Sequence, residues 1–136
     1  MSLIVPNLYL GDFENAKSMK WLMDHKITHI LNCAKELPDL YRYNFNYCNL
    51  YLDDIPEQDI HNGLLLSFEF LNKALSKQGN VVLVHCMMGI SRSSSMVIHY
   101  LMKKNRWSYD QAYTFVRGKR DIIHPNRGFV EKLKSM

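Results

Sequence analysis

Apolar residues recur along the chain at two different spacings, which indicates that strands alternate with helices. Leu64, Phe68, Leu71 and Leu75 stand three or four residues apart, the spacing of one buried helix face. By contrast, 81–84 is an unbroken apolar run rich in valine, which is typical of a central strand covered on both faces. This alternation predicts an α/β domain with a central, mostly parallel, twisted sheet flanked by helices.

The same spacings, together with turn residues, predict the remaining elements. Asp59 is expected to cap the helix that contains Leu64, and Gly79-Asn80 is expected to close it. Ser108 with Gln111 has the pattern of a capping box. The segments 36–46 and 53–58 are expected to be irregular. The predicted strands are 3–10 around Pro6, 28–33, 47–52 and 81–84, and the other predicted helices are 14–25, one through 96–101, 108–118 and 126–134.

Composition fits an ordinary globular domain. The chain has 136 residues, so a single domain over 1–136 is expected. Hydrophobic residues make up 47% and charged residues 22%. The net charge of +4 fits either a solvated surface or one that attracts an anionic substrate. The densest basic cluster, around 117–120, lacks the interleaved aromatic residues of a nucleic-acid groove, so no nucleic-acid partner is expected.

The three cysteines, Cys33, Cys48 and Cys86, form no close pair. An odd count without pairing favours a reducing compartment, and the absence of a CxxC spacing argues against a zinc site. No signal-peptide pattern is present, and no stretch reaches the ~18 apolar residues of a membrane span. We therefore expect a monomeric protein of the cytoplasm or nucleus with no metal, cofactor or membrane anchor.

The loop after the predicted strand 81–84 carries the candidate chemistry. Ligands in α/β folds bind at the carboxyl ends of central strands, and N–H groups at a helix start favour anions. Gly89 permits a backbone bend there, and the planar guanidinium of Arg92 can bind two phosphate oxygens. The positions expected to bind phosphate, chiefly through backbone N–H groups, are Met87, Met88, Gly89, Ile90 and Ser91, together with Arg92.

Cys86 is the candidate nucleophile in this loop. The positive surroundings favour its thiolate form near neutral pH, and a thiolate can attack phosphorus to form a covalent intermediate. The hydroxyl of Ser93 can donate to the sulfur and make it a better leaving group. His85 is expected to fix the loop by hydrogen bonding to nearby backbone.

The stretch His85 to Ser93 matches HCxxGxxRS and resembles the signature of cysteine-based protein tyrosine phosphatases. The form Gly-Ile-Ser-Arg-Ser, followed by Tyr100-Leu101-Met102, is similar to the dual-specificity branch. The resemblance covers nearly the whole chain through further matching words at 8–11, 30–32, 125–126 and 128–129. It implies a small, atypical dual-specificity phosphatase acting on phosphorylated proteins, with a pocket shallow enough for phosphotyrosine, phosphoserine and phosphothreonine. Met87-Met88 departs from the usual family residues and is expected to alter only the pocket rim.

The resemblance also implies a general acid on a separate upstream loop. Asp54-Ile55-Pro56 fits the family pattern best, with Asp53 as the alternative, whereas Asp59 fits a helix cap. Arg120 stands where relatives place a basic residue near the pocket mouth, although a solvated helix-end charge explains it equally well. Asn126 is expected to tie the C-terminal segment to the phosphate loop rather than to act in catalysis.

Three alternatives stay open. The same chemistry could act on a lipid, an RNA 5′-phosphate or a sugar phosphate, although lipid-directed relatives often carry lysine where this loop has Met87, Met88 and Ile90. An inactive relative could bind phosphoproteins without cleaving them. A rhodanese-like or arsenate-reducing enzyme has a similar Cys-to-Arg spacing, but the upstream Asp and the Ser after Arg92 favour the phosphatase.

Overall fold

The computed structural model describes all 136 residues, built around one five-stranded sheet. In space the strand order is β1-β2-β5-β3-β4, so the last strand in sequence lies at the centre. All neighbouring pairs are parallel except β1 with β2. The strands are β1 (Ser2–Val5), β2 (Leu8–Gly11), β3 (His29–Ala34), β4 (Asn46–Leu52) and β5 (Val82–His85).

Alternate strand residues point to opposite sides of the sheet, so both faces carry apolar side chains. Six helices cover these two faces. Leu83 and Ile30 pack with Leu22 on the face of the first two helices. Val82, Val84 and Leu31 belong to the larger cluster, on the face of the other four. The helices are α1 (Phe13–Lys17), α2 (Met19–Asp24), α3 (His61–Leu75), α4 (Arg92–Asn105), α5 (Tyr109–Lys119) and α6 (Arg127–Lys134). The observed architecture is the predicted α/β arrangement.

Strand β5 and helix α4 form the centre of the molecule. All four residues of β5 are buried, as its uninterrupted apolar sequence predicts. Every residue of α4 from Arg92 to Met102 is also buried, although its first turn contains three serines. The connection between β5 and α4 therefore opens at the carboxyl edge of the sheet with both of its ends fixed in the core.

Two sequence predictions merged elements that the structure separates. Residues 3–10 are two antiparallel strands, because Pro6 and Asn7 form a turn in which Asn7 has a φ of 69°. Asparagine tolerates this left-handed conformation better than most residues. Residues 14–25 are likewise two helices, since Ser18 ends α1 and its hydroxyl accepts the N–H of Trp21 at 3.1 Å to begin α2.

Several element ends also differ from prediction. Helix α3 ends at Leu75, ahead of Gly79, and its N-cap is Ile60 rather than Asp59. Asp59 lies one position earlier, where its carboxylate accepts the N–H of His61 at 2.9 Å. The capping box of Ser108 with Gln111 is present at the start of α5, as predicted. None of the helices is long and apolar enough to traverse a lipid bilayer.

Candidate active site

The connection from Cys86 to Ser91, hereafter the phosphate loop, turns all of its carbonyl groups toward protein donors. Because C=O and the following N–H point in opposite directions across a trans peptide, the N–H groups face the concave side. The backbone N–H groups of 87–91 have no acceptor in the protein. The donors to these carbonyls are His85 Nδ1 for Cys86, Phe13 N for Met87 and the Arg120 guanidinium for Met88 and Gly89. The Ile90 carbonyl accepts from His124 N and Ser94 Oγ, and the Ser91 carbonyl accepts from Ser95 N, Ser95 Oγ and Ser94 Oγ. The loop is therefore a ring of free donors suited to an oxyanion.

Gly89 is required at the tightest point of the phosphate loop. Its φ is +68°, a conformation that residues with a side chain rarely adopt. A Cβ at this position would also lie 2.6 Å from the carbonyl oxygen of Gly11 and 2.5 Å from Nη2 of Arg120. The bend expected from the sequence is present, and the close approach of β2 adds a second reason for glycine.

Cys86 lies at the floor of the phosphate loop, with only 3% of its surface exposed. Its Sγ is 3.1 Å from Oγ of Ser93, a residue buried in the first turn of α4. Behind the loop, Nδ1 of His85 is 3.3 Å from the carbonyl oxygen of Cys86. Burial lowers the pKa of His85 to about 4, so the neutral ring donates this bond at neutral pH. The structure thus places His85, Cys86 and Ser93 in contact, as the sequence motif predicted.

Arg92 is positioned by a carboxylate that the sequence reasoning missed. Nη1 and Nη2 donate to the two carboxylate oxygens of Glu36 at 2.6 and 2.7 Å, and Nη1 also donates to the Leu52 carbonyl at 2.9 Å. The Arg92 hydrogen bonds hold the pKa of Glu36 below its usual range. Nε of Arg92 is buried and has no partner. A guanidinium fixed on its outer side by three of its five N–H groups thus keeps two donors free, Nε–H and the second N–H of Nη2.

Glu36 is itself placed by the polar segment that follows β3. Asp39, whose side chain is 5% exposed, accepts from the amides of Asn32 at 2.9 Å and Asn49 at 3.2 Å. Asn32 also donates to the carbonyl of Leu37 at 2.9 Å. These bonds join the irregular segment to β3 and β4. The position of Glu36, at the carboxyl edge of a parallel strand, was the sequence signal that could have identified it.

The two candidate general acids face different neighbours. Oδ1 of Asp54 accepts from Nδ2 of Asn126 at 2.9 Å, and the N–H of Asn126 donates to Oγ of Ser91 in the phosphate loop at 3.0 Å. Asp53 instead lies 3.8 Å from Nζ of Lys35 on the outer side. The geometry therefore brings Asp54 to the phosphate loop, through the residue that was expected to tie the C-terminal segment there.

Arg120 is neither a basic residue at the pocket mouth nor a solvated charge at a helix end. It is 8% exposed, so it is no solvated helix-end charge, and its donors face away from the concave side of the phosphate loop. Nε donates to the Gly89 carbonyl at 2.9 Å and Nη2 to the Met88 carbonyl at 3.1 Å. Its role in this structure is to fasten the backbone from behind. Met87 and Met88, by contrast, are exposed at the rim, as expected.

Comparison with known proteins decides the family of this fold and site. Residues 8–136 match the family model described as the dual specificity phosphatase catalytic domain. The chain belongs to the dual-specificity phosphatase family. This membership confirms the family resemblance and the cysteine-based phosphatase class that the sequence predicted.

Curated relatives align with almost the whole chain but are much longer. A "probable rhodanese domain-containing dual specificity protein phosphatase" of Dictyostelium discoideum is 46% identical over 127 residues, which are 93% of this chain and 26% of that protein. A protein phosphatase Slingshot homolog of Xenopus laevis is 37% identical over 134 residues, 98% of this chain and 19% of that protein. The chain thus spans about a quarter or less of the length of these relatives.

Solved structures agree with the fold over nearly the full length. The crystal structure of DUSP15 superposes with a TM-score of 0.93 at 30% identity, covering 99% of this chain and 85% of the other. A human tyrosine phosphatase-like serine/threonine/tyrosine-interacting protein superposes with a TM-score of 0.91 at 34% identity, covering 99% and 93%. The overall arrangement of the sheet and its helices is therefore shared with these two solved structures.

Proposed function

We propose that this chain hydrolyses phosphoprotein monoesters through a cysteinyl-phosphate intermediate, accepting phosphotyrosine as well as phosphoserine and phosphothreonine. The observation that carries the proposal is the donor pattern of the phosphate loop. Every carbonyl from Cys86 to Ser91 accepts from a protein donor, whereas the N–H groups of 87–91 have no acceptor in the protein. With the free Nε of Arg92, this donor ring fits the three non-bridging oxygens of a phosphoryl group.

In the first step, the thiolate of Cys86 attacks phosphorus and the bond from phosphorus to the ester oxygen breaks. Asp54, as a carboxylic acid, donates its proton to the departing oxygen, which leaves as an alcohol or phenol. Arg92 and the loop N–H groups stabilise the charge on the three equatorial oxygens while the phosphoryl group moves to sulfur. The products of this step are the free hydroxyl compound, cysteinyl phosphate and the Asp54 carboxylate.

In the second step, water attacks the phosphorus of cysteinyl phosphate and the sulfur–phosphorus bond breaks. The Asp54 carboxylate takes a proton from the water, and inorganic phosphate leaves. Ser93, 3.1 Å from the sulfur, donates a hydrogen bond that stabilises the departing thiolate. The two steps return Cys86 and Asp54 to their starting forms.

Binding of phosphoproteins without cleavage is the second candidate. It is favoured by one observation, the 34% identity to a solved phosphatase-like protein described as serine/threonine/tyrosine-interacting. Cys86, Arg92 and Ser93 are all present in this chain, and this combination favours turnover instead. A Cys86→Ser protein that captures phosphopeptides as well as wild type does, when neither hydrolyses them, would support the binding function.

The decisive experiment compares wild type, Cys86→Ser and Asp54→Asn on an aryl phosphate and on phosphotyrosine and phosphothreonine peptides. Cys86→Ser should abolish turnover, and Asp54→Asn should lower it by roughly 10²- to 10⁴-fold. Asp53→Asn is the matched control and should keep most activity. Activity that survives Cys86→Ser contradicts the mechanism. Activity only on a lipid, RNA or sugar phosphate retains the mechanism and changes the substrate class.

A further inference from the structure

The first turn of α6 lies against the loop that carries Asp54, and a glycine makes the contact possible. Gly128 is the second residue of α6. A Cβ there would lie 2.7 Å from the carbonyl carbon and 2.8 Å from Cα of Pro56, and closer still to its carbonyl oxygen. These are backbone atoms, so the clash could be relieved only by moving the loop or the helix.

Asn126, the N-cap of α6, makes three hydrogen bonds in the same place, besides the helical bond that its carbonyl accepts from Val130 N–H. Its Oδ1 accepts the N–H of Phe129 at 3.0 Å, which fixes the start of the helix. Its N–H donates to Oγ of Ser91 at 3.0 Å, which joins the helix to the phosphate loop. Its Nδ2 donates to Oδ1 of Asp54 at 2.9 Å. One side chain therefore links the helix start and the candidate acid, while its backbone contacts the phosphate loop.

We infer that the first turn of α6 is a positioning device for the general acid, with Gly128 setting how closely the Asp54–Pro56 segment approaches and Asn126 orienting the carboxyl group. The inference rests on the proposed role of Asp54. Buried Phe129 and Leu133 anchor α6 in the core, so the helix is a fixed support. Asp54 itself is exposed and has no hydrogen-bond donor other than Asn126.

A displaced acid affects substrates unequally, and this makes the inference testable. Phenyl phosphate releases a strongly basic phenolate that needs the proton, whereas p-nitrophenyl phosphate releases a weakly basic one that needs it far less. The kcat/KM value reports only the steps up to release of the phenol. The ratio of kcat/KM for phenyl phosphate to that for p-nitrophenyl phosphate therefore measures proton donation separately from binding and from general damage to the fold.

The experiment measures this ratio for wild type and for Asp54→Asn, Gly128→Ala, Asn126→Asp and Gly118→Ala. Gly118→Ala is the matched control, because a Cβ on Gly118 in α5 meets nothing within 4 Å. Asn126→Asp keeps an oxygen to cap α6 but faces Asp54 with an acceptor in place of the donor. We expect the ratio to fall by on the order of 100-fold in Asp54→Asn and by roughly 10-fold in Gly128→Ala and Asn126→Asp.

The outcomes separate this inference from the proposed function. A reduced ratio in Asp54→Asn with the wild-type ratio in both α6 variants would overturn the inference alone. The wild-type ratio in Asp54→Asn would overturn the acid assignment and the inference with it. Thermal unfolding accompanies each assay, and Asn126→Asp decides the question if Gly128→Ala does not fold. A ratio lowered equally in Gly118→Ala would also count against the inference.

Discussion

The side chain of Arg92 is oriented for phosphate binding by Glu36, a residue that is not expected to contact the phosphate itself. Its side chain is 7% exposed while that of Glu36 is 47% exposed, so the pair spans the boundary between core and solvent. Arginine presents a planar fork, and Glu36 occupies its two terminal nitrogens. The remaining donors, Nε–H and the second N–H of Nη2, are held without rotational freedom, which reduces the entropy lost when phosphate binds.

Glu36→Gln removes the charge of this pair and leaves a single acceptor oxygen. Hydrogen bonds to charged groups contribute about 1.5–3 kcal/mol, so kcat/KM on an aryl phosphate should fall by at least ~10-fold. The inhibition constant of inorganic phosphate should rise in parallel. Glu69→Gln, an exposed change on α3, serves as the control. Unchanged phosphate inhibition in Glu36→Gln would exclude the positioning role.

At this scale the motif itself predicted its own residues, the family resemblance supplied the distant Asp54 and Asn126, and neither predicted the contacts of Glu36 and Arg120. Cys86, Arg92 and Ser93 follow one another along the chain, so their proximity needs no tertiary information. Glu36 is separated from Arg92 by 56 positions, and only the parallel pairing of β3 with β5 brings them together. The contacts of Arg120, named from the sequence as a supporting residue, were not predicted for the same reason, because its partners in the loop lie more than 30 positions away.

At the scale of elements, the phosphate loop depends on three supports that surround it. The β2–α1 corner supplies Phe13 N–H, the end of α5 supplies Arg120, and the segment before α6 supplies His124 N–H. Each donor binds a loop carbonyl and holds it on the side opposite the free N–H groups. The loop conformation is therefore a property of the surrounding elements as much as of its own sequence.

Gly89→Ala tests this dependence on the surroundings. Gly79 has a φ of +92°, and a Cβ added there would meet nothing within 4 Å, so Gly79→Ala carries only the backbone penalty, about 1–2 kcal/mol. Gly89→Ala adds the clash with Gly11 and Arg120 and should lose about 1–3 kcal/mol more, together with phosphate binding. Urea unfolding and phosphate inhibition measure both effects. Equal loss of stability in the two variants would contradict the tight approach.

The elements were predicted correctly where the apolar pattern is long, and the prediction failed where that pattern is short. The β5–loop–α4 unit and the buried stripe of α3 follow from runs of apolar residues at clear spacings. The break at Asn7 depends on the conformation of one residue, and the break at Ser18 depends on one capping hydrogen bond. The spacing of apolar residues does not indicate either of them. Short elements such as α1 and α2 depend on packing in the smaller cluster as well as on their capping bonds.

For the whole molecule, two buried histidines couple stability to pH. Burial lowers the pKa of both His85 and His99 to about 4, and His99 has no hydrogen-bond partner on either ring nitrogen. In the unfolded chain a histidine has a pKa of about 6.5. Between these values the unfolded state binds more protons, so the free energy of unfolding falls as pH falls from about 6.5 to about 4. His85 alone contributes about 3 kcal/mol to this fall.

Urea unfolding at pH 7 and pH 5 measures this coupling. His99→Leu should reduce the pH dependence by about half, because one of the two titrating sites is removed. His61→Gln, at an exposed position, should leave the pH dependence as in wild type. A His99→Leu protein with the full wild-type pH dependence would show that the ring of His99 does not contribute.

The strand order also determines which strands are available for pairing while the chain is being synthesised. Strands β2 and β3 leave the exit tunnel well before β5, yet β5 must insert between them. Any pair that forms before then, β1 with β2 or β3 with β4, has an open edge where β5 will insert, and such an edge can associate with other chains. Insertion of β5 closes those edges and builds the phosphate loop in the same event. A chain caught midway through synthesis is therefore at risk of aggregation but has no assembled catalytic centre, so the enzyme cannot act before its sheet is complete.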